Sequence, residues 1–158
     1  MMHRRLLLLA AMAVLITSAR PVANVAQPTS CVVTEPPNPP FIPPFPAPAV
    51  PPMQRMFWYG NDDLWTWLPL DGRVGRREKS IWWHPGFYPR IEPKPDLRVV
   101  ATELETRTRV VAPGAGNAFA NEDGGWTMMT MLGLPVAGCW VVTATYHGAK
   151  VNYVVAVD

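Results

Sequence analysis

Serine, histidine and cysteine are scarce in this chain, and their scarcity removes whole classes of chemistry. Beyond residue 19 the only serines are Ser30 and Ser80, and neither sits in a Gly-x-Ser-x-Gly turn, so the local signature of a nucleophilic serine is missing. Beyond the same point the histidines are His84 and His147, far apart in sequence. With no His-x-x-x-His or Cys-x-x-Cys spacing there is no zinc-ligand cluster to read, and no metal or other cofactor is expected. The glycine-rich stretch 114–117 lacks Gly-Lys-Ser/Thr and follows no strand-to-helix unit, which argues for a flexible loop rather than a phosphate cradle. Helical periodicity is also lacking, because after the first residues no apolar pattern of helical repeat persists for about ten residues.

The longest apolar run lies at the amino terminus. His3, Arg4 and Arg5 precede an unbroken apolar stretch over residues 6–16, followed by Thr17, Ser18 and Ala19. A basic region, 11 apolar residues and a small-x-small site make a secretory signal peptide. A membrane anchor needs about 20 apolar residues, and Arg20 and Pro21 stop the run short. Cleavage is expected after Ala19, with Ala26 as the alternative, so no stable membrane span remains. Arg4-Arg5 sits in surroundings that fit a twin-arginine signal poorly. Losing Arg4 and Arg5 leaves 12 Lys and Arg against 12 Asp and Glu. A balanced chain carries no electrostatic footprint for nucleic acid. The basic cluster Arg73, Arg76, Arg77 and Lys79 has Asp71 and Glu78 among it and reads as a solvated loop.

Cys31 and Cys139 are the two cysteines. In an oxidising compartment they have one possible pairing, and a disulfide is the simplest reading. Closing so long a loop contributes on the order of 4–5 kcal/mol in the chain-entropy model. The competing reading is a lipid anchor on Cys31, although Pro28-Thr29-Ser30 is a poor lipobox. Around Cys31 the composition shifts, with 11 prolines in residues 28–52. Proline lacks the backbone donor and fixes φ, so this arm favours polyproline II over helix or central strand. It reads as a linker, a ligand for a proline-recognising groove, or a strap laid over the domain through Phe41, Ile42, Phe45 and Val50. The expected organisation is a signal peptide at 1–19, a proline-rich arm at 20–52 and one β domain at 53–158, monomeric.

Within that domain short β-rich runs recur between Pro and Gly turns. Strands are expected over 64–68, 79–83, 97–103, 106–111 and 126–132, then a hairpin of 138–146 and 150–157 joined by His147-Gly148-Ala149. Segments 71–75 and 112–125 read as turn and loop. About seven short strands spaced in this way indicate an all-β, immunoglobulin-like sandwich. Gly138-Cys139-Trp140-Val141-Val142-Thr143 is similar to the start of the penultimate strand in such domains. Trp140, Val142 and Ala144 then face inward, Trp140 pins the corner, and Cys139 points out of the core.

Several motifs carry a family resemblance: Cys31-Val32-Val33-Thr34, Gly60-Asn61 before Leu64-Trp65-Thr66, Trp82-Trp83, the 97–104 strand, and Leu134 to Trp140 with Thr143. Together they resemble a group of exported bacterial β-sandwich proteins with no established activity. The resemblance spans most of the mature chain and implies a secreted sandwich and nothing catalytic. The chain departs from the pattern in a longer proline-rich insertion and in His84, where the group has arginine after the Trp pair.

Seven tryptophans are the remaining functional signal. Trp82 and Trp83 must point to opposite faces of a strand, so one lies outside the core, under the arm or against a ligand. Trp58, Trp82, Trp83 and His84 are the candidate ligand-binding residues. No catalytic residue is assigned. Asp62-Asp63 and Glu122-Asp123 read as turn chemistry, with calcium as the rival. The leading expectation is a non-enzymatic module of the bacterial cell envelope, secreted or periplasmic, whose partner is an envelope protein or a glycan. The alternatives are a carbohydrate-binding module using exposed Trp, and a small hydrolase centred on His84 with Asp62 or Asp63. Amino-terminal sequencing of the exported protein is expected to begin at Arg20; a chain retaining Met1 would remove the cleaved-signal reading.

Overall fold

The computed structural model describes residues 31–44, 51, 53–121 and 125–158. The expected signal peptide and the pair Glu122-Asp123 lie outside the described residues. Ten strands are described and no α-helix: β1 (Met56–Gly60), β2 (Trp65–Pro69), β3 (Arg73–Val74), β4 (Arg77–Trp83), β5 (Arg98–Glu103), β6 (Arg109–Val111), β7 (Gly116–Asn121), β8 (Gly125–Gly133), β9 (Gly138–Tyr146) and β10 (Ala149–Val157). They form two sheets of five, not a barrel: sheet A in the order β1-β2-β4-β8-β7 and sheet B in the order β3-β10-β9-β5-β6. Neighbours are antiparallel except β3, which runs parallel to the end of β10.

The alternation of β9 and β10 generates the core. Successive strand residues take opposite faces, and Trp140, Val142, Ala144 and Tyr146 are buried in turn, as are Val151, Tyr153, Val155 and Val157. Sheet A answers with Trp82, Met128 and Leu132 in the same cluster. The hairpin turn is shorter than expected. Ala149 pairs with Tyr146, so the link is His147-Gly148 alone, at φ 46° and 88°. Positive φ at both central residues matches the twist of the flanking strands.

Three strands depart from the sequence expectation. β1, in residues 56–60 for which no strand was expected, pairs along the whole of β2. β3, expected as turn, is two residues held by a parallel contact with β10. β7 occupies the second half of the segment expected as loop; Gly114 and Ala115 precede it, and Gly116 and Asn117 begin it. The count is therefore ten rather than about seven. In the other direction, residues 106–108 were expected to be strand, but β6 starts only at Arg109.

Glu103 explains that shortened strand. Only 2% exposed, its carboxylate accepts from Glu105 N at 2.9 Å, Thr106 N at 2.5 Å and Thr106 Oγ1 at 2.8 Å, folding the chain into a loop. Burial disfavours the charged carboxyl, yet these bonds outweigh it and hold the pKa below the ordinary value. Gly138 makes room for it: at φ 141°, a Cβ there would stand 2.7 Å from Glu103 Oε1. Beside this glycine the indole N–H of Trp140 donates to the Val136 carbonyl at 3.2 Å, which pins the start of β9.

The described part of the proline-rich arm is tied to the domain. Cys31 is disulfide-bonded to Cys139, with Cα atoms 5.3 Å apart. Cys139 is half-buried beside fully buried Trp140, so the bridge lies on the outward side of sheet B. Thr34 N donates to Val154 O at 2.9 Å and Thr34 Oγ1 accepts from Val154 N at 2.8 Å, occupying part of the β10 edge. Further on, Phe41 packs against the outer face of sheet A.

Truncating a core indole removes its transfer free energy and leaves a cavity. Trp140→Ala is expected to cost about 3–5 kcal/mol in denaturant unfolding; a loss below about 1 kcal/mol would contradict its corner role.

Candidate functional site

At one end of the sheets, three connections bring ionisable side chains together: the β1–β2 turn, the β4–β5 loop and the β9–β10 turn. Asn61 organises the first, its Oδ1 accepting from Asp63 N at 3.1 Å and Leu64 N at 2.9 Å. This is the local turn chemistry expected of Asn, and it accounts for the Asp62-Asp63 corner. The Asn61 amide also donates to Lys150 O at 3.1 Å, joining this turn to β10. The β4–β5 loop begins at His84, whose Nδ1 accepts from Gly86 N at 3.0 Å.

Glu92 is the hub. Its Oε1 accepts from Asp96 N at 2.8 Å. Its Oε2 accepts from the Tyr146 hydroxyl and stands 3.5 Å from His147 Nε2. Tyr146 and His147 stack at 4.0 Å and 12°. His84 meets Tyr146 edge-on at 4.9 Å and stands 5.9 Å from His147 between ring centroids. The two histidines, distant in sequence, are thus neighbours.

Burial and neighbouring charges move three of these groups from their ordinary pKa values. His84 is held below its ordinary pKa, first by burial and then by His147, with Asp63 and Glu92 pulling the other way. Acceptance of the Gly86 N–H by Nδ1 is also the bonding of a neutral imidazole with its proton on Nε2. Burial works against the Glu92 charge, but the Tyr146 hydroxyl, the Asp96 N–H and the two imidazoles hold its pKa below the usual carboxylate value. Tyr146 is pushed well up by burial and then by Glu92. The arrangement offers a fixed carboxylate, a neutral imidazole and a half-exposed imidazole.

The serine hydroxyl at position 80 is not part of it. Ser80 is 5% exposed and lies in the core, where its hydroxyl accepts the Trp82 indole N–H at 2.5 Å and bonds Tyr153. Among the described residues no group of three His, Cys, Asp or Glu has the geometry to hold a metal ion.

The candidate tryptophans divide between the two faces of sheet A. Trp82 is 0% exposed and lies 6.0 Å from Tyr153 between the sheets. Trp58 and Trp83 are 3% exposed on the outer face, with Trp65, Trp67, Ile81 and Phe41. Trp58, Trp67 and Trp83 have ring centroids 4.9–5.9 Å apart. Of the predicted site residues, only His84 joins the loop-end cluster. Glu92 and Tyr146 were missed. Tyr146 carries a weak signal, as the last inward position before the turn; Glu92, between Ile91 and Pro93, carries none.

No protein-family model matches this sequence, and no curated protein and no solved structure matches the chain. The site therefore rests on its own geometry.

The His84 shift has a sign. A depressed folded pKa means that the unfolded chain takes up a proton first, so the stability is present above the unfolded value of 6.5 and is lost as pH falls through the folded value. Unfolding midpoints are expected to drop from pH ~7 to pH ~5, with a shallower drop in His84→Gln; identical slopes in the two proteins would contradict the burial of a neutral imidazole.

Proposed function

We infer that this protein is an exported, non-enzymatic interaction module of the bacterial cell envelope, with an immunoglobulin-like sandwich fold and a partner surface at the loop end around His84, Glu92 and His147. The strand order supports the fold reading. The chain leaves sheet A after β2 and runs as β3 along β10, while β4, β8 and β7 neighbour one another on one side and β10, β9, β5 and β6 on the other. Those are the neighbour relations of the immunoglobulin type, with the β1–β2 hairpin added. The disulfide supports an oxidising compartment, as does the resemblance of the Trp-Trp and Gly-Cys-Trp motifs to exported bacterial proteins.

The observation that carries the functional reading is the convergence of His84, Glu92, Tyr146 and His147 from separate connections on a rigid frame. Loops held by a scaffold are the usual bearers of recognition. The indoles of Trp58, Trp82 and Trp83 are engaged in packing, which favours the loop end over stacking on a sugar. A protein partner is favoured over a hydrolytic role because the acceptors and donors of the cluster are fixed on one another and the Ser80 hydroxyl is taken up by Trp82 in the core.

A photo-crosslinking residue at position 147, compared with one at position 107 on the opposite end, tests this in intact cells. One defined adduct from position 147 and none from position 107 is the expected outcome. Equal labelling at both ends, or a hydrolase activity abolished by His84→Ala, would overturn it.

A further inference from the structure

The outer face of sheet B carries a group of exposed cations. Its outward positions follow from the register: Lys150 opposes Thr145, which opposes Arg98, and Asn152 opposes Thr143, which opposes Val100. Val100 then opposes Val111, and Thr102 opposes Arg109. Adjacent strands stand about 4.8 Å apart, so Arg98 and Lys150 flank Thr145 in one row and Arg109 closes the far side. Arg98, Val100, Arg109, Thr143, Thr145 and Lys150 line a shallow groove of about 290 Å³.

The charge on this face has one sign. Arg98, Arg109 and Lys150 are exposed, and no carboxylate occupies an outward position on the strands that line the groove. Among the described residues the ion pairs are Arg55–Asp71, Arg73–Asp158 and His147–Glu92, so none neutralises these three. Two other cations are tethered: Arg73 bonds the Asp158 carboxylate, and Arg76 bonds the Asp158 and Pro135 carbonyls at 3.3 and 2.9 Å. Three cations without a carboxylate partner among the described residues thus share one sheet face.

We propose that this face binds an extended polyanionic glycan, with Arg98, Arg109 and Lys150 meeting its acidic groups and Thr143, Thr145 and Asn152 its hydroxyls. Arginine matches a carboxylate or sulfate through paired N–H donors. Thr and Asn side chains supply the uncharged donors and acceptors that sugar hydroxyls require. A nucleic-acid strand is a poorer fit, because the outward positions hold no aromatic ring on which a base would stack. Each exposed cation contributes modestly by itself, so affinity depends on several acidic groups of one polymer engaging together. This surface adjoins the loop-end site but uses none of its side chains, and either can fail without the other.

Affinity electrophoresis of the mature, disulfide-bonded protein tests the proposal. The gels contain alginate, which bears carboxylates, dextran sulfate, which bears sulfates, or neutral dextran. Retardation by alginate, dextran sulfate or both, with none by dextran, is expected, and comparing the first two identifies the acidic group. The triple variant Arg98→Gln, Arg109→Gln, Lys150→Gln is expected to bind at least about tenfold more weakly, with an unchanged unfolding midpoint. The charge-matched control Arg77→Gln, Arg90→Gln, Lys94→Gln is expected to lose less than about twofold. Binding should weaken with salt as the screening length falls from about 10 Å at 0.1 M to about 3 Å at 1 M. Equal losses in the two triples, equal retardation by neutral dextran, no retardation by either polyanion, or tighter binding to single-stranded DNA would each overturn the proposal.

Discussion

The structure depends on the start of β9, where adjacent residues on one extended strand serve opposite faces. Trp140 turns inward, fully buried, with its indole N–H on the Val136 carbonyl; Cys139 turns outward to Cys31. Gly138 sits immediately before them with no side chain, and the Glu103 carboxylate fills the space that a Cβ would need. A core anchor, a covalent tether and a buried charge are therefore coupled within three residues. Period-two geometry makes the arrangement unavoidable once Trp140 is committed to the core.

The same geometry makes sheet A two-sided. Trp82 enters the main core and Trp83 must then face away from it, where Trp58, Trp65 and Trp67 accompany it. An outer face so rich in indole is a liability unless covered, and Phe41 of the arm packs there. The disulfide and the Thr34–Val154 hydrogen bonds set the direction from which the arm approaches. The candidate platforms Trp58, Trp82 and Trp83 are thus consumed by packing, and ionisable side chains are available for recognition at the loop end and on the outer face of sheet B.

Legibility followed the range of the interactions. Strands β2, β4, β5, β8, β9 and β10 were readable within a few residues at their ends, because each buries one face and so alternates. β3 was not, since two residues carry no period and their pairing comes from β10. β7 was not, because its Gly and Asn content matches a loop and only β8 makes it a strand. Residues 106–108 alternate as a strand would, but the Glu103 carboxylate offers the Thr106 donors a better partner. In the loop-end cluster His84 was singled out, whereas its neighbours were not: 62 residues separate it from Tyr146, and a neighbour at that range leaves no periodic trace.

Taken alone, the amino-acid sequence determined the all-β class, the opposite facing of Trp82 and Trp83, the inward set Trp140, Val142 and Ala144, and the single available cysteine pairing. Each follows from local rules, namely residue propensity, alternation and counting. Tertiary structure alone decided that His84, Glu92, Tyr146 and His147 share one site and that Trp58, Trp82 and Trp83 pack instead of facing solvent. It alone gathered Arg98, Arg109 and Lys150 on one face without a carboxylate. Those outcomes depend on which strands become neighbours and in what register, and that is set by the packing of two sheets over a common core.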